Sequence, residues 1–301
     1  MKPLMLFKIL RSILNHPLNR KQKGRAIIRF IRWQIGSRLA LGPVVVRFVG
    51  ESQLIAEPGF SGVTGNVYTG LYEFEDMAFV LHFLRESDRF VDVGANIGAY
   101  TILASSVIGA KCIAIEPVPI TFKRLCDNVN INGVYDRVRC LKLGISSTTG
   151  MLRFTTTLGA MNHVAVGENE NTGTIELPVN SLDEVAGEFK PSLVKIDVEG
   201  FETKVIEGAD DILSQEGLYA VSMELREHGK KYGFDEMDLH KKMICYGFVP
   251  YRYFPFTREL SEIEGIDYQK GNTLYLRNKR LPIIRERIRA APKFFVNHHN
   301  L

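Results

Sequence analysis

From residue 90 onward, short apolar runs alternate with longer amphipathic ones, and this alternation constrains the fold more than any other feature. Residues 90–93, 111–115, 137–143, 193–196 and 219–224 read as strands, while 99–107, 119–130, 202–213 and 235–246 read as the helices between them. Strands joined by helical stretches build a parallel sheet covered on both faces, so the expected fold class is a doubly wound α/β sheet. Residues 151–156 and 174–179 read as an inserted pair of strands joined by a polar loop, 157–173; 248–253 and 273–276 read as the last strands. Ahead of the alternation come a small hairpin at 44–49 and 52–56, a glycine-rich stretch at 59–70 and a helix at about 75–86. The composition of 45% hydrophobic and 24% charged residues over 301 suits one large domain with extensions.

The first strand runs into Asp92-Val93-Gly94-Ala95-Asn96-Ile97-Gly98 just before a helix. Such a turn suits a ligand that backbone must approach closely, beside the free N–H groups of a helix start. The spacing is Gly-x-x-x-Gly, without the middle glycine that makes room for a dinucleotide pyrophosphate, so hydride transfer is disfavoured. Asp92 suits a ligand with a positive group, such as the ammonium of a methionine moiety. Glu116 ends the next strand 24 residues on, where a carboxylate can accept both hydroxyls of a ribose. Gly144, at the following strand end, offers backbone and apolar surface for an adenine. Turn and acid together point to a cofactor containing a nucleoside.

These segments resemble a known family. Residues 91–101, then Glu116-Pro117-Val118-Pro119 with Phe122, Leu125 and Asn128, then Val194-Lys195-Ile196-Asp197-Val198-Glu199-Gly200-Phe201-Glu202 are similar to the FkbM-type methyltransferases. Tyr72-Glu73, Ser181-Leu182-Asp183 and Asn272 fit the same pattern, which covers about residues 60–278. The resemblance implies a Rossmann-like class I methyltransferase sheet, mostly parallel with one antiparallel strand, and S-adenosylmethionine as methyl donor. It implies O-methylation, commonly of a sugar hydroxyl or natural product, and brings Glu73, Tyr100, Thr101 and Pro117 into the cofactor set beside Asp92, Gly94, Asn96, Gly98, Glu116, Gly144 and Asp197.

In a doubly wound sheet the site opens at the carboxyl ends of the strands, which places Asp197, Glu199 and Glu224 in one crevice. A carboxylate within reach of a hydroxyl can take its proton, and Asp197 is the first choice for base or orienting group. His163 in the insertion and His228 after the fifth strand are further proton acceptors. Clustered carboxylates could also hold a divalent metal, but no ligand set is readable from the sequence and a metal is not favoured. The aromatic group Tyr246, Phe248, Tyr251, Tyr253, Phe254 and Phe256 is assigned mainly to core packing and strand propensity, with a sugar-sized cleft as the other use.

Residues 1–50 carry eleven Lys or Arg and no acid, leaving the remainder at about −7. Residues 4–14 form a helix with Leu6, Ile9, Leu10 and Ile13 on one side. In 25–39 Ile27, Ile31, Ile35 and Leu39 repeat every four residues beside Arg25, Arg29 and Arg32. Such a basic amphipathic arm suits an anionic membrane surface, with docking on the domain as the other outcome and nucleic acid disfavoured. The run 4–14 is broken by Lys8 and Arg11 and does not span a bilayer, and it lacks the cleavage site of a signal peptide. The four cysteines show no paired or metal-ligand spacing and suit a reducing cytosol.

The expected organisation is therefore a basic helical extension (1–42), a methyltransferase domain (43–278) and a basic tail (279–301). The expected place is the cytoplasm, peripheral to the inner face of the membrane. The expected acceptor is a small molecule or glycan, lipid-linked acceptors being favoured over free sugars; a nucleic-acid or protein methyltransferase and an inactive cofactor-binding scaffold are the competing readings.

Overall fold

The computed structural model describes residues 3–40, 42–57, 61–165, 173–266, 268 and 271–301. The tip of the polar insertion, 166–172, and the start of the glycine-rich stretch lie outside the described residues, as does the side chain of Leu6. Two helices lead, α1 (Pro3–Asn15) and α2 (Lys23–Leu39), followed by the hairpin β1 (Val44–Arg47) and β2 (Gln53–Ala56). Then come α3 (Ser61–Thr69) and α4 (Phe74–Phe83).

The alternation follows as β3 (Arg89–Val93), α5 (Ala99–Ile102), β4 (Lys111–Ile115), α6 (Pro119–Ile131) and β5 (Val138–Leu141). The insertion contributes β6 (Gly144–Ile145), β7 (Gly150–Thr155) and β8 (Thr174–Asn180). Next are α7 (Leu182–Ala186), β9 (Leu193–Ile196), α8 (Glu202–Glu207), α9 (Asp210–Ser214), β10 (Ala220–Glu224) and α10 (Glu236–Cys245). The chain finishes with β11 (Phe248–Phe254), β12 (Glu259–Glu262), β13 (Asn272–Arg277), α11 (Leu281–Ala290), β14 (Phe295–Val296) and β15 (His299–Asn300).

The main sheet has the order β12-β11-β13-β10-β9-β3-β4-β5. The strands β5, β4, β3, β9 and β10 run parallel, and β13 is wedged antiparallel between β10 and β11. This is the doubly wound, mostly parallel sheet that the sequence leads one to expect, to which β12 adds an antiparallel edge strand. Strands such as Leu193–Ile196 are buried on both faces, which is why they read as unbroken apolar runs. One core layer joins α4, α6, α11 and the leading helices; the other joins α7, α8, α9 and α10.

Several expectations are corrected by packing. The helix expected at 202–213 breaks at Gly208, where a Cβ would come 2.4 Å from the Ser146 carbonyl oxygen. The Asp183 carboxylate restarts it as α9, accepting from the amides of Asp211 and Ile212 at 3.0 and 2.9 Å. The glycine-rich stretch, given no element from the sequence, is helical over Ser61–Thr69, where Asn66 and Thr69 bond back to the carbonyls of Gly62 and Gly65. Residues 279–301 are not a loose tail: Ile284 and Ile288 are buried in the core, and Arg258 holds the carbonyls of Ala291, Pro292 and Leu301. The fold also brings together two cysteines that the spacing kept apart. Burial and the Cys126 thiol push the Cys140 thiol up to about 12.

The arm docks, but not on its isoleucine stripe. Ala26, Phe30 and Trp33 are buried, and Phe30 packs at 5.2 Å from the ring of Tyr68. Arg29 Nη2 reaches Asn19 Oδ1 at 2.5 Å and the Tyr68 carbonyl at 3.1 Å. Ile27, Ile28, Ile31, Ile35 and Leu39 stay 37–76% exposed on the other side of α2. Among the described residues no helix is long and apolar enough to cross a membrane.

Candidate active site

A cleft of about 370 Å³ opens where the sheet changes winding direction, at the carboxyl ends of β3 and β9. Gly94 turns the chain at φ +76°, and its amide donates to the Ile115 carbonyl at 3.0 Å. A Cβ on Gly94 would stand 1.9 Å from the Asp197 carbonyl oxygen, and one on Gly98 would stand 2.5 Å from Leu125 Cδ1. The sequence assigns these glycines to ligand approach; their nearest neighbours are the chain's own next strand and α6. Their absent side chains let the turn and Asp197 share one edge of the cleft.

Glu116 is pre-positioned at the end of β4. Its Oε2 accepts from the Asn96 amide at 2.9 Å, and its Oε1 accepts from the Val118 amide at 3.0 Å and Thr121 Oγ1 at 2.7 Å. Asn96 takes a left-handed conformation to make that contact. Burial pushes the Glu116 carboxyl up in spite of these donors. Asp92 is buried and lines the same cleft; its Oδ2 accepts from Thr101 Oγ1 at 2.7 Å, while its Oδ1 has no partner. An unmet buried acceptor costs about 1–3 kcal/mol, so this oxygen fits a ligand that brings N–H donors.

Glu73, Tyr100, Pro117 and Gly144 also line the cleft. Tyr100 donates to Glu73 Oε2 at 2.9 Å. Gly98 and Thr101 stand behind the wall: Gly98 packs on Leu125, and the fully buried Thr101 acts through Asp92.

The four catalytic candidates Asp197, Glu199, Glu224 and His163 line this cleft together with His228. Lys195, missed as a site residue, lines the cleft with them: its ammonium lies 2.8 Å from Asp197 Oδ2 and 4.7 Å from the centre of the Tyr100 ring. Burial alone would raise the Asp197 carboxyl, but Lys195, with help from Glu224 and Arg226, holds it below its usual range. For Lys195 the balance is the same in mirror image: burial opposes its charge, and Asp197, Glu73 and Asp92 restore it. The Asp197 carboxyl is therefore held in its ionised form.

Burial, with Asp197 and Glu199 nearby, lifts Glu224 to about 9; Arg226 Nε bonds its Oε1 at 3.0 Å. Burial and Asp197 lift Glu199 to about 7. His228 Nδ1 lies 3.3 Å from Glu199 Oε2, and burial followed by Lys231 and Arg226 lowers its pKa. The loop carrying Glu199 is fixed by Glu202, whose Oε1 accepts from the amides of Val198 and Gly200 at 3.0 and 3.2 Å. Glu199, Glu224 and His228 offer ligand atoms within 4.8 Å of one another, but Arg226 already supplies positive charge there. His163 turns its Nδ1 to the Met161 carbonyl at 2.9 Å.

In a second polar group only Asp76 was missed, since Glu73 and Asn272 were read from the sequence. Asn272 Nδ2 bonds Glu73 Oε1 and Asp76 Oδ2, each at 3.2 Å. Burial and then Glu73 raise Asp76 to about 7. The available signal for Lys195 was a charged residue inside the apolar run Leu193-Val194-Lys195-Ile196; Asp76 in α4 gave none.

Residues 92–248 match the family described as the methyltransferase FkbM domain, a stretch that contains the glycine turn, Glu116, Asp197 and Glu224 and leaves out the leading helices. The chain is 32% identical over 152 residues to hexuronic acid methyltransferase AglP of Haloferax volcanii, covering 50% of this chain and 62% of that protein. It is 27% identical over 172 residues to methyltransferase sdnD of Sordaria araneosa, covering 46% and 66%. Among solved structures it is similar to methyltransferase FkbM from Methylobacillus flagellatus, with a TM-score of 0.46 and 16% identity over 84% of this chain and 60% of that one. The matches span less than two thirds of the length of each of these three proteins.

Proposed function

We propose, from the premise that this chain belongs to the FkbM methyltransferase family, that it is an S-adenosylmethionine-dependent O-methyltransferase acting on a hydroxyl of a sugar or glycolipid. The observation that carries the cofactor is the pairing of a pre-positioned Glu116 with the unpartnered Asp92 Oδ1 in one cleft. Glu116 would hold the ribose hydroxyls, Asp92 the ammonium group, and Gly144 the side where adenine packs. Bound there, the cofactor supplies an electrophilic methyl group.

The chain's own groups orient the acceptor and move its proton. Lys195 keeps Asp197 ionised and fixed, so that its carboxylate can hold a hydroxyl in line. Glu199, lifted to about 7 and backed by His228, is the group placed to receive the proton. Arg226 at the edge of the cleft suits an acidic sugar, in keeping with the hexuronic acid named for the Haloferax relative. The exposed isoleucines of α2, with Arg25 and Arg32 beside them, support contact with an anionic lipid surface.

Calorimetry with S-adenosylmethionine and S-adenosylhomocysteine tests the first step. Both should bind one to one and NADH should not; absence of binding by both adenosyl compounds would sink the methyltransferase reading.

A further inference from the structure

A second and larger chamber, about 710 Å³, lies between the leading helices and the far end of the sheet. Its apolar walls come from Ile13, Phe30, Trp33, Phe74, Tyr251 and Leu274, on α1, α2, α4, β11 and β13. A concave pocket of this size beside the cleft is the form ligand sites take. The two cavities adjoin, because Tyr72, Glu73 and Arg226 line both.

The chamber is lined by both polar and apolar groups. At the shared wall stand Glu73 and Arg226, and on the chamber side of Glu73 the Asn272–Asp76 pair. Ile13, Phe30 and Trp33, on helices that contribute nothing to the cleft, form an apolar patch away from that wall, beside Ser12, His16, Ser37 and Arg38. Gln34 on α2 is engaged with the Tyr68 hydroxyl at 2.8 Å. A free sugar would match the shared wall and leave the apolar patch without a partner. A molecule with a hydroxylated head and an apolar tail matches both.

We infer that this chamber is the acceptor site and that it takes an amphiphile, with the hydroxylated head at Glu73 and Arg226 and the apolar part between α1, α2 and the sheet. The assignment rests on the methyltransferase reading for its chemistry and makes the docked arm a wall of the acceptor site. The outer side of α2 presents the exposed isoleucines, so one helix would face both the lipid surface and the tail of a lipid-linked acceptor.

Trp33 is the chain's only tryptophan and lines the chamber, so its emission reports occupancy. The full chain would be titrated with methyl, butyl, hexyl and octyl β-glucosides, each below its micelle concentration. Expected is a saturable one-to-one emission shift whose affinity tightens about threefold to fourfold per added methylene, the increment for burying a CH₂. Filling the chamber with Ser37→Phe should weaken octyl glucoside binding at least tenfold while S-adenosylhomocysteine binding persists. Ser12→Phe, on α1, serves if the first variant melts early. Affinity that ignores chain length, or binding that survives in a folded filled variant, would overturn the assignment, the latter by placing the probe on the outer isoleucines. Loss of S-adenosylhomocysteine binding in the unmodified protein would instead remove the methyltransferase reading and leave the chamber result standing.

Discussion

Glu116 is held by three donors of its own chain, so its carboxylate is in place before a ligand arrives. Glu116→Ala should therefore weaken S-adenosylhomocysteine about tenfold to hundredfold, the range for a lost charge-assisted hydrogen bond; unchanged calorimetric affinity in a folded variant would falsify its assignment. Asp197→Asn should keep cofactor binding but slow methyl transfer by about two to four powers of ten. Glu199 makes a different prediction, because a base at about 7 must be ionised to act. Turnover should rise with pH through about 7 and lose that limb in Glu199→Gln; a limb that persists would move the base elsewhere. The raised carboxyls also set the pH dependence of stability. In the unfolded chain Glu224 loses its proton near 4.5, whereas in the fold burial, Asp197 and Glu199 keep it to about 9. Between those values the native state binds more protons, so stability falls as pH rises. The melting temperature should drop from pH 5 to pH 9, and less steeply in Glu224→Gln; equal slopes would assign the drop to other groups. Of this site the acids at strand ends were legible, since strand ends converge by topology alone. Lys195 and Asp76 were not, because their significance lies in neighbours remote in sequence.

The same distinction holds for elements. β3, β4 and β9 were legible because burial on both faces leaves apolar runs between turn signals. The arm was legible as two helices but not in its orientation. Periodicity picks out an isoleucine stripe on α2, yet the larger rings of Phe30 and Trp33 on the adjoining face took the burial. The last helix was hidden by its own composition: Arg285, Arg287 and Arg289 make α11 read as a solvated tail, while Arg287 in fact pairs with buried Asp88 at 2.7 Å and Ile284 and Ile288 point inward. Ile288→Ala should therefore cost about 2–4 kcal/mol, as for a core position. Denaturant unfolding that showed no loss would return α11 to the status of a tail.

For the molecule as a whole, the docked arm changes what a membrane test should disturb. Removing residues 1–40 would strip Phe30 and Trp33 from the core and confuse detachment with unfolding. Ile31→Glu with Ile35→Glu alters only exposed positions. The intact protein should sediment with anionic vesicles and release as salt rises, given about 1 kcal/mol per basic residue near such a surface. The double variant should stay in solution with its melting temperature unchanged, and sedimentation equal to that of the unmodified chain would remove the lipid contact. The wall common to both cavities carries one more consequence. Glu73 is bonded to Tyr100 on the cleft side and to Asn272 on the chamber side, so ligands in the two cavities would act on the same few bonds. Two ligands that bias one network are thermodynamically linked: the factor by which the acceptor alters donor affinity must equal the factor by which the donor alters acceptor affinity. A single coupling constant, readable from either titration, would then describe how the protein senses that both partners are present.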